Sequence, residues 1–413
     1  MNKKNIFLWS LYDFANSIMT IVFFLYFSQW LVVDSSVSDA KYNFLLIFST
    51  ILLVLVAPVA STMADKTGKC FAFLKINTVV VWFLYLLLTF ITLFYPGQII
   101  LAMIVFVLGA FTYQLSFSFY TPLLNELAPE AKRGLVSGIG NASNWLGQIV
   151  GLVLVLPFAS GSIYFFGEPG RAQTFLPATI IFILLSLPML LFFKKDNSMP
   201  KTKISFSILK QEYKNVFREA KTLFLVPGVG MFLIAFFFFN DAILTASSNF
   251  PIVLERVFFA PDTKKTFLLA LILITSAIGA FLCGYLGDKF GLKKVLLWIL
   301  AGWVVLFPLI GTSQTLGTLT ILVTIMGILF GGVWAVSRAL LSRLIPKERM
   351  VHAFSFYTLS ERMASFLGPL AWSGIVVFAP TENGLNYRIA MVSMTVFIII
   401  GFILMRKVEY KNS

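Results

Sequence analysis

Four charged side chains, Asp13, Asp241, Glu361 and Arg362, stand inside stretches that are otherwise apolar. Charge placed in hydrocarbon costs roughly 2.5–3.5 kcal/mol per residue on insertion scales, so such groups face protein or water and are candidates for handling protons or a solute. Glu361 and Arg362 are adjacent and point to different sides of a helix, so they cannot simply face each other. Arg362 is therefore expected to seek an acid on another helix, Asp13 or Asp241. A bridge that alternates with protonation of the acid would couple a moving solute to a proton gradient. A static pair that fixes helix packing is the competing reading.

Uncharged polar groups lie in the same apolar runs: Asn16, Gln29, Gln114, Asn141, Asn144, Gln148, Asn240, Asn249 and Ser337. Trp145, Trp334 and Tyr357 are the aromatic candidates for the same cavity. Asn141, Asn144 and Gln148 fall at i, i+3 and i+7, nearly one helix face. Gly147 and Gly151 beside them give the small-xxx-small spacing that lets helices approach closely. That face is either the wall of a polar cavity or a set of interhelical hydrogen bonds. Other chemistry is poorly equipped. The single histidine, His352, and two cysteines, Cys70 and Cys283, make no metal-spaced cluster or disulfide framework. There is no phosphate loop and no nucleophile beside a base, so neither an enzyme nor a cofactor or metal is expected.

The elements that must position these residues follow from composition. The 413 residues are 59% hydrophobic and 12% charged, with 45 phenylalanines and a mean hydropathy of +0.90, whereas soluble chains are about 25% charged. The solvent for most of this chain is lipid. Runs long enough to span as helices fall near 7–33, 42–63, 71–94, 98–121, 135–159, 175–193, 229–252, 266–286, 294–312, 316–341, 351–378 and 386–405. They are continuously apolar, which excludes the alternating strands of a membrane barrel. The fold class is an all-α membrane protein with 12 transmembrane helices in two pseudo-symmetric six-helix bundles. The domains are an N-terminal bundle over 1–193, a linker over 194–222 and a C-terminal bundle over 223–413. The linker carries a basic amphipathic helix suited to the membrane interface. Basic residues outnumber acidic ones by more than two to one on one side and balance them on the other. The positive-inside rule then places both termini in the cytoplasm, and in a prokaryote the membrane is the inner one. The same rule accounts for the net charge of +14 without a nucleic-acid partner.

The halves repeat each other. Asp65-Lys66-Thr67-Gly68 between helices 2 and 3 matches Asp288-Lys289-Phe290-Gly291 between helices 8 and 9. Leu127-Ala128-Pro129-Glu130-Ala131-Lys132-Arg133 after helix 4 matches Leu344-Ile345-Pro346-Lys347-Glu348-Arg349 after helix 10, and Tyr12-Asp13 pairs loosely with Asn240-Asp241. Glycine permits the tight turn and the aspartate can accept from a neighbouring helix N-terminus. Asp65, Gly68, Arg133, Asp288, Gly291 and Arg349 are thus expected to form a cytoplasmic gate; a charged turn that only fixes topology is the alternative. Two six-helix repeats are a transporter's architecture, with solute bound near the midplane.

These loops resemble the major facilitator superfamily signature Gly-x-x-x-Asp-x-x-Gly, although Ser61 replaces the leading glycine of the first copy. Four further motifs resemble one branch, that of the autophagy-related vacuolar amino-acid effluxer and its prokaryotic relatives. They are Tyr12-Asp13-Phe14-Ala15-Asn16-Ser17, Asn125-Glu126-Leu127-Ala128-Pro129, Gly331-Gly332-Val333-Trp334 through Leu340, and Phe356-Tyr357 with Ala364 through Pro369. Trp334 stands where many relatives have glutamine, and Glu361-Arg362 where they have glycine-lysine. The resemblance implies a small-molecule transporter, with an amino acid as solute. The combined expectation is a monomeric, proton-coupled secondary transporter in the lipid bilayer, moving a small polar or zwitterionic solute by alternating access. The alternatives are an anionic carboxylate or siderophore as solute, or a non-transporting receptor on the same fold.

Overall fold

The computed structural model describes residues 3–67, 69–127, 130–193, 226, 228–344, 357, 360–361 and 366–409. Among these, every regular element is helical. The helices are α1 (Lys3–Val22), α2 (Asp39–Thr67), α3 (Cys70–Phe94), α4 (Ile99–Tyr120), α5 (Glu130–Ala159) and α6 (Phe175–Phe192), followed by α7 (Val229–Arg256), α8 (Asp262–Phe290), α9 (Leu292–Thr312), α10 (Leu316–Leu344), α11 (Leu367–Phe378) and α12 (Leu385–Arg406). Eleven spans among the described residues are long and apolar enough to cross a membrane, and α11 is a shorter apolar helix. The amphipathic segment expected in the 194–222 linker lies outside the described residues.

Two helices depart from the simple rods that hydropathy suggests. The first span runs from Lys3 to Asp34, its later part wound as π-helix over Phe23–Phe27 and Trp30–Asp34. The run expected over 351–378 is interrupted: Phe366 leaves helical geometry (φ −120°, ψ −61°) and α11 begins after it. Proline explains the new start. Pro369 has no N–H and its ring collides with the preceding turn of a helix interior, but it is tolerated in a first turn, where it stands here.

The chain divides into two compact units: Met1–Val37 with Ile51–Lys214, and Ser38–Thr50 with Asn215–Ser413. Helix α2 is shared between them, its first turns belonging to the second unit. In the first unit α1 lies closely against α5. A Cβ on Gly151 would stand 3.0 Å from Ile18 Cα, and one on Gly147 would collide with the Phe14 carbonyl. In the second unit α10 is laid on α8 in the same way. A Cβ on Gly327 would strike Thr275, one on Gly331 the Ser276 carbonyl, and one on Gly279 the Ile328 carbonyl. Lipid offers no hydrophobic drive between helices, so such backbone approach supplies the attraction.

Helices α1 and α7 are the most enclosed spans, with 83% and 72% of their apolar stretches buried, against 24–50% for the others. They occupy matching places in the two repeats. A carboxylate at membrane depth must face protein or water rather than lipid, and these are the helices that bear Asp13 and Asp241.

Candidate functional site

In the first unit, Asp13 is buried on α1 and its Oδ1 accepts from Asn144 Nδ2 on α5 at 3.1 Å. Asn144 Oδ1 in turn accepts from Gln148 Nε2 at 2.8 Å. The polar face of α5 therefore spends its side chains on a relay that ends at the carboxylate. An aromatic wall closes the other side. Tyr120 stacks on Trp9 with ring centroids 4.7 Å apart and 2° between planes, and on Tyr12 at 5.3 Å. Its hydroxyl, beside Asp13, donates to the Trp9 carbonyl at 3.0 Å. Tyr12 is pinned to Thr78 at 2.8 Å. Thr78 itself donates to the Leu74 carbonyl, so the Tyr12 hydroxyl is the donor of that pair. Asn16, one turn from Tyr12, is 1% exposed, and neither of its amide atoms has a hydrogen-bond partner. Gln114 and Trp145 are half-buried on α4 and α5.

In the second unit, Asp241 is fully buried on α7, and its Oδ2 accepts from the backbone N–H of Gly368 at 2.7 Å. That N–H belongs to the first turn of α11, where backbone donors lack helical partners and the helix dipole favours an anion. Asp241 thus caps a helix other than its own. Only glycine fits the contact, because a Cβ on residue 368 would lie 2.8 Å from Asp241 Oδ1 and strike Thr245. The arrangement echoes the first unit. The same sequence distance separates Asp13 from Asp241 as Gly140 from Gly368, and a Cβ on Gly140 would stand 2.5 Å from the Trp9 ring. Each repeat thus joins its first helix to its fifth through an aspartate and a close glycine.

Asn240, beside Asp241, accepts from Trp334 Nε1 of α10 at 2.9 Å. Its Nδ2 is buried without a partner. One turn before Asn240, Phe236 stacks on Tyr357 with centroids 4.1 Å apart. Arg338 on α10 is exposed and Glu361 is half-buried.

The sequence did not single out the side chains at the start of α2. Asn43 and Asn249 exchange amide hydrogen bonds, each Nδ2 donating to the other's Oδ1 at 3.1 Å, and both are fully buried. Tyr387 of α12 donates to Asp39 Oδ2. All four residues lie in the second unit. Asn249 was visible as a polar residue in an apolar run; Asn43 was not, because it stands at the edge of its run.

Of the residues expected at the cytoplasmic gate, Asp288 and Gly291 are described in full. Gly291 joins α8 to α9 at φ +96°, a conformation that favours glycine. Asp288 Oδ1 accepts from Arg343 Nη2 of α10 at 2.9 Å. Both side chains are well exposed, at 73% and 46%. Such a pair adds about 0–1 kcal/mol of stability, so it orients the helix end more than it holds the fold. Asp65, Arg133 and Asn141 are carried by α2 and α5, but their side chains, like Gly68, Arg349 and Arg362, lie outside the described residues. The bridge expected from Arg362 to Asp13 or Asp241 therefore lies outside them too; the partners seen for both acids are neutral N–H donors.

Comparison with known proteins identifies the family. Residues 38–413 match the model of the family described as vacuole effluxer Atg22 like. The uncharacterized MFS-type transporter YxiO of Bacillus subtilis is 25% identical over 98% of this chain and 95% of its own length. Autophagy-related protein 22 of Vanderwaltozyma polyspora is 29% identical over 40% of this chain and 34% of its own. Among solved structures, a bacterial homolog of the human lysosomal transporter Spinster, inward-facing and unoccupied, superposes with a TM-score of 0.75. The two are 15% identical, with all of both chains covered; that likeness shows the fold. The chain is a multi-pass membrane transporter of the major facilitator superfamily, and within it belongs to the vacuole effluxer Atg22-like family.

Proposed function

We propose that this transporter is a secondary active carrier, coupled to protons, that moves a small polar or zwitterionic solute by alternating access. By family resemblance the solute is an amino acid. Both termini face the cytoplasm, where the basic loops belong, and one chain is the working unit. The observation that supports the coupling is the matched pair of buried carboxylates. Asp13 and Asp241 sit on the two most enclosed helices and are held by neutral donors, Asn144 and the Gly368 N–H. A buried carboxylate with no cation beside it among the described residues needs either a proton or good hydrogen bonds to offset the loss of water. Each acid therefore has two states, and the bonds it accepts differ between them: an ionised Asp241 holds the α11 N-terminus, and a protonated one releases part of that hold. Proton binding is thereby tied to helix position, which is what coupling requires.

The test uses protein in liposomes loaded with an amino-acid mixture. Asp241→Asn keeps an acceptor for the Gly368 N–H but cannot titrate. The expected result is loss of pH-gradient-driven uptake with counterflow exchange intact. Wild-type rates in both assays would remove Asp241 from the coupling path and leave it a static cap.

A further inference from the structure

Four side chains in a row, Ile163, Tyr164, Phe165 and Phe166, stand 46–57% exposed in the connection between α5 and α6. Exposed apolar patches of this kind mark membrane or partner surfaces. One buried glutamine holds the loop in shape. Gln173, 1% exposed, accepts from the Phe165 N–H at 3.2 Å. It donates to the carbonyls of Phe166 and Glu168, the latter at 2.9 Å. Gly167 turns the chain at φ +67°, a conformation that favours glycine, and Arg171 ties the end of the loop to Asp34 of the first span. The two phenylalanines are thereby aimed apart. Phe165 rests on Phe158 of α5 with centroids 5.2 Å apart, and Phe166 on Phe94 at the end of α3 at 5.5 Å.

Phe166 roofs a groove of about 430 Å³ over the seam where α3 meets α6. Its long wall is α3, from Phe83 to Phe94, and Leu176 closes it from α6. Thr89 is the one polar side chain among the lining residues. Its hydroxyl donates to the Tyr85 carbonyl at 2.8 Å and lies 3.5 Å from that of Thr179 on α6, so its one donor is used inside the protein. The groove offers carbon to whatever enters. A solute with polar atoms would lose its hydration there without compensation; a hydrocarbon chain loses nothing.

Length and place narrow the occupant further. From Phe83 to Phe94 the wall extends about 16 Å at the helical rise, close to half of a hydrocarbon core about 30 Å thick. The groove therefore spans one leaflet. Tyr95, 55% exposed and 5.6 Å from the Phe90 ring, stands at the Phe94 end, where such amphipathic rings mark the headgroup level. Phe83, Phe90 and Phe94 are 48–64% exposed, so the wall faces away from the protein, and at this depth the medium is lipid.

We infer that the groove holds one acyl chain of a phospholipid from the leaflet at the Phe94 end. The chain lies along α3, its carbonyl end near Tyr95 and its methyl end near Phe83. Phe166 covers it, and Gln173 keeps Phe166 in place. Lipid tails are as apolar as the groove, so packing contacts around an ordered chain hold it, not exclusion of water. The site requires only that the protein spans a bilayer; it is independent of the solute and of proton coupling.

The test uses the full chain in nanodiscs with a phospholipid that carries a diazirine either beside the carbonyl or at the methyl end of one acyl chain. After illumination, attachment sites are mapped by peptide mass spectrometry. The carbonyl-end probe is expected on residues 90–95 and 166, and the methyl-end probe on 83–87. Each should exceed attachment to the exposed α10 residues Ile321 and Ile325 at least threefold. Leu87→Trp fills the groove and should cut attachment there at least threefold, with labelling of α10 unchanged. Phe166→Ser removes the roof and should do the same. Leu87→Met keeps the volume, guards against a fold defect and should label as the parent does. Attachment no denser than on α10, the two probes mixed along the groove, or full labelling in both Leu87→Trp and Phe166→Ser would overturn the site. So would attachment that disappears when each disc holds two copies, which would give the groove to a second copy of the chain.

Discussion

At the scale of single residues, the acids announced themselves and their partners did not. Asp13 and Asp241 are legible because an aspartate inside an apolar run has few reasons to be there. Asn144 and Gln148 were legible as one polar helix face, though not as a relay into Asp13. The partner of Asp241 is a backbone N–H, which every residue but proline carries, so no residue type could reveal it. Only Gly368 hinted at a close approach. That hint gives a prediction. Gly368→Ala places a methyl 2.8 Å from Asp241 Oδ1 and forces α11 from its cap, at a cost of about 1–3 kcal/mol of the kind seen on overpacking. Thermal unfolding in detergent should show a clear fall in melting temperature. An unchanged midpoint would mean that the cap yields freely. Asn144→Ala tests the other unit. The Asp13 carboxylate loses its amide donor, and a loss of about 1–3 kcal/mol is expected, read from the same unfolding curves; a variant as stable as the parent would show that water replaces Asn144.

At the scale of elements, hydropathy located all twelve segments because span length is set by bilayer thickness. It misjudged where a helix changes character. The interruption at Phe366 follows from Pro369 and from a cap supplied by another helix, and the division of α2 follows from contacts far apart in sequence. A run of apolar residues records neither. The first turns of α2 are fastened within the second unit by the Asn43–Asn249 exchange and by Tyr387 on Asp39, while the rest of that helix belongs to the first unit. A double-mutant cycle with Asn43→Ala and Asn249→Ala should show the two changes to be strongly coupled. Each single variant strands a buried amide, and the double variant should cost little more than either. Coupling near the upper end of interhelical bonds in membranes, roughly 0.6 to 1.7 kcal/mol, is expected. Additive losses would show that the pair does not act as a unit.

At the scale of the whole molecule, composition and internal repetition carried most of the fold: an apolar chain, two matched sets of loop motifs and twelve spans leave few architectures other than the one found. The site is less legible. Its polar groups could be named one by one from sequence, but the contacts of Asn240, Trp334 and Tyr357 depend on which helices touch, and spacing within one helix does not record that. The claim on which the account rests is that solute and proton move together through this one chain. The direct measurement is the internal pH of proteoliposomes, followed with a trapped dye while an amino-acid mixture is added outside. The account predicts a pH change that accompanies labelled solute flux in the wild type, together with flux that no longer moves protons in Asp241→Asn. Solute flux with no pH change in the wild type, or unaltered proton movement in both Asp13→Asn and Asp241→Asn, would contradict it.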